Sequence, residues 1–203
     1  MVGLAIGPQL SDDARLGLRA LVVAPALLFA PLLASGIGGR ADRAGALTIG
    51  TLAVAFLLNA AGGAPFAELQ NAFLAFLIGA GIIATVPMLP EGARRLADIA
   101  GSAAFGLLVL VAVAYGATSL DPIGLAAGAL LFVTTAGTAA IVARAVGVEV
   151  PSALAGAGTR DFAVAAGLAV SAGGPGSVVA PLGFGVAVGA VSLLLARNRR
   201  KAR

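Results

Sequence analysis

The chain alternates long apolar runs with short clusters of charge. Apolar runs extend from about Leu16 to Ile37, Ala44 to Asn59, Ala72 to Leu89, Leu96 to Ala117, Ile123 to Ala143, Ser152 to Ala172 and Val178 to Ala196. A helix of roughly 20 apolar residues crosses the hydrocarbon core of a bilayer, so this pattern predicts about seven crossings. The punctuation is polar: Asp12-Asp13, Arg40-Ala-Asp42-Arg43, Pro90-Glu91-Gly92-Ala93-Arg94-Arg95, Asp121 and Arg144. Ser11-Asp12-Asp13 supplies helix-capping chemistry before the first full run. Met1 to Pro8 is apolar but too short to span, and reads as the end of a helix whose beginning is missing. The expected fold class is an all-α, polytopic transmembrane helical bundle. It forms a single transmembrane domain over 1–203, with repeat-like halves at 1–90 and 91–196 and a basic tail at 197–203.

Two runs are interrupted. Gly156-Ala-Gly158-Thr159-Arg160-Asp161 lies inside the run from Ser152 to Ala172. Arg160 and Asp161 would each cost roughly 2.5–3.5 kcal/mol at the centre of a lipid-facing helix, so they should face protein, water or a ligand. The glycines just before them weaken the helix at the same place. The second interruption is Asn59-Ala-Ala-Gly62-Gly63-Ala-Pro65-Phe-Ala-Glu68, where paired glycines and a proline oppose helix continuation. A matched pair of interrupted spans points to a transporter site. The residues leave other readings open. Arg160 and Asp161 could be a buried pair that only locks helices, and 59–71 an extramembrane turn. Pro25 and Pro31 are expected to kink the first span.

Composition sharpens the picture. Of 203 residues, 60% are hydrophobic and 11% charged, against about 25% charged in soluble domains. The 29 glycines suit close helix approach, and the pairs Gly124/Gly128 and Gly185/Gly189 read as packing positions rather than as a dimer signal. With no cysteine or histidine, thiolate and imidazole metal sites and the Ser-His and Cys-His nucleophile pairs are excluded, and an enzyme is not expected. Arg197, Arg199, Arg200, Lys201 and Arg203 follow an apolar span directly, which suits a cytoplasmic anchor rather than a nucleic-acid site. With that tail inside, Arg144, Arg94, Arg95, Arg40 and Arg43 also fall inside and Asp121 outside. The chain is therefore expected in a bacterial inner membrane with its C-terminus cytoplasmic.

The stretch Gly156-Ala-Gly158-Thr-Arg160-Asp161-Phe resembles the crossing-helix motif of the bile acid:sodium symporter superfamily. That motif reads roughly Glu-x-Gly-x-Gln-Asn. Ala61-Gly62-Gly63-Ala64-Pro65-Phe66 is similar to the break in the family's first crossing helix, and Met1 to Pro8 to the end of its second helix. The resemblance implies two inverted repeats with a mobile core and a panel, and a secondary transporter of a small organic anion. It implies binding by Gly158, Thr159, Arg160, Asp161, Asn59, Gly62, Gly63, Pro65 and Glu68. No cofactor is implied; coupling to Na+ or H+ and assembly into a homo-oligomer are both compatible with it. The sequence departs from the family at three points. Gly156 stands where a sodium-ligating glutamate is usual, Phe66 and Ala67 stand where polar ligands are usual, and seven crossings would point the two broken helices the same way rather than oppose them. A truncated, inactive or structural membrane protein lacking the panel helices is the alternative.

Overall fold

The computed structural model describes residues 10–24, 26, 30–61, 90–93, 96, 99, 107, 110, 113–114 and 121–201. Among these the chain is helical and no strand is present. In order, α1 is Asp12–Val23, α2 Ala30–Ile37, α3 Ala41–Ala61, α4 Pro122–Ala145, α5 Val150–Ala153, α6 Phe162–Gly173 and α7 Val179–Lys201. A π-helical turn, Leu154–Gly158, follows α5, and a 3-10 turn, Pro175–Val178, precedes α7. The spans expected at 72–89 and 96–117, and the apolar start at Met1 to Pro8, lie outside the described residues or almost wholly so.

Helices α1 and α4 start where the local chemistry provides for their orphan N–H groups. The Ser11 hydroxyl accepts from the Ala14 amide, and Asp121 accepts from the Ile123 and Gly124 amides. Pro122 and Pro151 sit in the first helical turn, where a missing N–H costs nothing. The expected first span is not one kinked helix but two. Ala24 leaves helical geometry at φ −64°, ψ 139°, because Pro25 pushes the residue before it toward extended backbone. Beyond the break the Ala26 amide finds the Thr51 hydroxyl of α3 at 3.3 Å.

The contacts fix how the helices run. Ser11 donates to Asp121 at 3.1 Å, Ala14 packs with Ala127, and Gly17 abuts Ser177 and Pro181, so α1, α4 and α7 run in the same direction. Leu16 meets Gly173, and Gly39, just past α2, meets Ser152. The α1–α2 chain therefore runs antiparallel to the chain from α5 through the π turn to α6. At about 1.5 Å per residue, α1 and α6 each cover roughly 18 Å, about 60% of a bilayer core of about 30 Å. Both breaks lie at the same depth. Leu21, Val23 and Ala24 share a core with Ala165, Leu168 and Phe184, while Ala30, Ala34 and Ala44 pack around Ala155. Phe132 and Phe184 meet edge to face in the first of these cores, centroids 5.4 Å apart.

Small residues let α4 and α7 touch backbone to backbone. A Cβ on Gly128 would collide with the Ala180 carbonyl, and one on Gly183 with the Leu125 carbonyl. Gly185 is covered by the Phe162 ring, whereas Gly189 faces open space. Charge collects at two ends. Ser11, Asp12, Asp13 and Asp121 mark one; Arg40, Asp42, Arg43, Arg144, Glu149 and Arg197 mark the other. Two helical stretches among the described residues, Pro122–Ala145 and Pro175–Asn198, are long and apolar enough to cross a membrane. Their outward faces are apolar, with Ile141 68% and Leu193 74% exposed. Exposed apolar side chains in such density suit lipid contact better than water.

Candidate functional site

The second broken chain is built to stop being α-helical at Leu154. Its sequence there, Leu-Ala-Gly-Ala-Gly, widens into a π turn, a device frequent at functional positions. Packing explains why the residues are small. A Cβ on Gly156 would lie 2.5 Å from the Ala44 carbonyl oxygen, and one on Gly158 3.2 Å from Ala136 Cα. The backbone of α3 thus occupies the space into which the resemblance would place a sodium-ligating glutamate. A side chain at position 156 fits only if α3 moves.

Three residues in non-helical conformation follow. Thr159 is extended, φ −101°, ψ 148°, and its hydroxyl donates to the Ala155 carbonyl at 2.6 Å. Asp161 is 2% exposed and caps α6, its carboxylate accepting from the Val164 amide at 3.1 Å. A carboxylate at a helix N-terminus is favoured both by that hydrogen bond and by the helix dipole. The carbonyl of Gly158, freed by the break, accepts from the Thr135 hydroxyl of α4 at 3.0 Å. The unwound segment is therefore tied to its own helix and to α4.

Arg160 points elsewhere. It is partly buried and lines an open groove of about 370 Å3 between the break and α4. Thr134, Thr135 and Thr138 form the polar wall of that groove, and Ala139, Val142 and Ala157 the apolar one. The ion pairs among the described residues are Arg15–Asp12, Arg40–Asp42 and Arg43–Glu149, and Arg160 belongs to none of them. Its neighbour Asp161 does not line the groove. The two neighbouring charges thus have different surroundings: the carboxylate caps α6 and the guanidinium lines the groove.

Of the other predicted site residues, Gly158 and Thr159 form the break itself. Asn59 falls in the last turn of α3, and Gly62, Gly63, Pro65 and Glu68 lie outside the described residues. The break found beside Gly156–Asp161 is the one at Ala24, and these two broken chains run antiparallel; the direction expected for the Gly62–Pro65 break lies outside the described residues. Sequence reasoning missed the threonines. Their signal was present: Thr134, Thr135 and Thr138 are polar positions at helical spacing within an otherwise apolar span, so they share one face.

At the other face of the break, the end of α2 is latched to the start of α5. The Arg40 amide donates to the Ser152 hydroxyl at 2.8 Å, and that hydroxyl lies 3.1 Å from Glu149 Oε2. Glu149 in turn lies 3.6 Å from Arg43. Compared with protein-family models, with curated proteins and with solved structures, the chain finds no match in any of the three.

Proposed function

We propose that the chain is a multi-pass secondary carrier that binds a small organic anion at Arg160. One observation carries this reading: a guanidinium without an ion pair among the described residues, held at the break of a helix and facing an open groove. Burying a cation part-way into a low-dielectric bundle is costly without a counter-charge, and a ligand carboxylate offers one in a bidentate geometry that guanidinium matches. The paired, antiparallel broken chains support it. Two half-length helices that meet at mid-depth give a carrier elements able to rock around a fixed site.

In this reading the end carrying Arg40, Arg43, Arg144 and Arg197 faces the cytoplasm, as the preference of short cytoplasmic loops for arginine requires. Asp161 keeps the break open by capping α6 and is the carboxylate through which a proton or Na+ would couple. The test is uptake of a panel of small carboxylates into proteoliposomes containing the full chain. Arg160→Ala is expected to lower uptake about 10- to 100-fold and Arg160→Lys to retain part of it. Uptake untouched by Arg160→Ala removes the site, and loss in Asp161→Asn without loss of folding assigns coupling to Asp161.

A further inference from the structure

We propose that the groove selects a short monocarboxylate bearing a hydroxyl group, which deepens the anion-carrier reading and rests on it. The charge of the lining sets the first limit. Arg160 is the one charged residue among the described lining residues, so it can neutralise one carboxylate. A second carboxylate on the same ligand would find no cationic partner among the described lining residues.

The threonines set the second limit. Thr134 donates to the Leu131 carbonyl at 2.8 Å and Thr138 to the Thr134 carbonyl at 2.8 Å. Thr135 divides its proton between Phe132 and Gly158 carbonyls, each at 3.0 Å. A hydroxyl has one donor and two acceptor lone pairs. With all three protons committed to backbone, the wall presents acceptors to the groove. Acceptor oxygens repel further anionic oxygens and match a ligand that brings its own donor. An O–H fits this at no charge cost. An ammonium would also donate, but no described lining residue supplies the negative charge to hold it.

Shape sets the third limit. Thr134 and Thr138 are one turn apart on one face of α4, and Val142 is the next residue along the same face. A ligand with its carboxylate on Arg160 meets an acceptor row and then a methyl-lined end. The volume, about 370 Å3, lies at the small end of ligand pockets.

The probes are 3-hydroxybutyrate, butyrate, succinate and 4-aminobutyrate, presented to proteoliposomes containing the full chain. The expected result is kcat/KM for 3-hydroxybutyrate about five- to tenfold above butyrate, the worth of one neutral hydrogen bond, with succinate and 4-aminobutyrate poorer than both. Thr138→Val should bring the hydroxyl preference to about one, with Thr138→Ser restoring it. Preference for succinate or 4-aminobutyrate overturns the proposal while leaving the anion carrier standing. So does a hydroxyl preference that survives in both Thr134→Val and Thr138→Val. Absence of any Arg160-dependent uptake among the four overturns the carrier reading, and this proposal with it.

Discussion

The two breaks lie side by side at the same depth, yet they are made from opposite materials. The first is made by proline chemistry and walled by alanine: Ala24, Ala26 and Ala30 are all fully buried, and the Ala26 amide is satisfied by a threonine of the next helix. The second is made by glycine and a π turn, and it carries a cap, a hydroxyl and a guanidinium in three successive residues. An apolar break gives the backbone a bend and no ligand chemistry. A polar break can do both. The difference teaches that, among the described residues, ligand chemistry gathers at one of the two breaks; on the carrier proposal the first chain is scaffold and the second the working element, and each half of that proposal can be broken by mutation.

The largest effect is expected at the polar break. Arg160→Ala should lower anion kcat/KM about 10- to 100-fold, the worth of a hydrogen bond to a charged partner, while thermal unfolding in detergent stays close to wild type. A strongly shifted melting temperature with unchanged transport would turn the assignment around and make Arg160 structural. Gly156→Val comes next, and it acts on folding. Its side chain must enter the backbone of α3 near Ala44, an overpacking that costs about 1–3 kcal/mol or more. Reduced yield of folded protein is the readout; a normally folded Gly156→Val variant would show that α3 yields easily and that position 156 has room after all.

How far these regions can be read from sequence follows from what each depends on. The caps at Ser11 and Asp121 and the weak point before Arg160 are local, and local chemistry is legible. The charges in the short loops mark the helix ends for the same reason. Pro25 announced a bend, but whether a proline kinks a helix or ends it depends on what satisfies the freed groups, and Thr51 lies 25 positions away on another helix. The partner of the polar break was expected at Gly62–Pro65, outside the described residues, because glycine pairs look more like breaks than Ala-Pro does. The threonines of α4 were hidden for a different reason. Their spacing puts them on one face, but what that face meets is set by packing, which turned Thr135 toward Gly158.

Asp161 separates cap from coupling by a smaller effect. Asp161→Ala removes the bond to the Val164 amide and should cost about 1–2 kcal/mol of stability. Asp161→Asn keeps an acceptor and should recover most of it. If transport by Asp161→Asn loses its dependence on a proton or sodium gradient while folding is intact, the carboxylate does more than cap. On the scaffold side, Thr51→Val should cost about 0.5–1.5 kcal/mol by stranding the Ala26 amide, with no change in substrate preference.

The smallest effect belongs to the surface pair at the foot of the scaffold. The hydrogen bond from Arg40 holds the Asp42 carboxyl below the usual carboxylate range, and the same bond raises the Arg40 guanidinium further. A carboxyl lowered on folding contributes stability that is present above its unfolded pKa, near 4, and lost as pH falls through the lower folded value. Melting temperature should therefore show no dependence on this pair between pH 8 and 5. Only below about pH 4 should wild type lose ground against Asp42→Asn. Because both side chains are open to solvent and screened by salt, the difference should also shrink as ionic strength rises. A pH dependence of this difference centred above pH 5 would show that the Arg40–Asp42 pair is not its source.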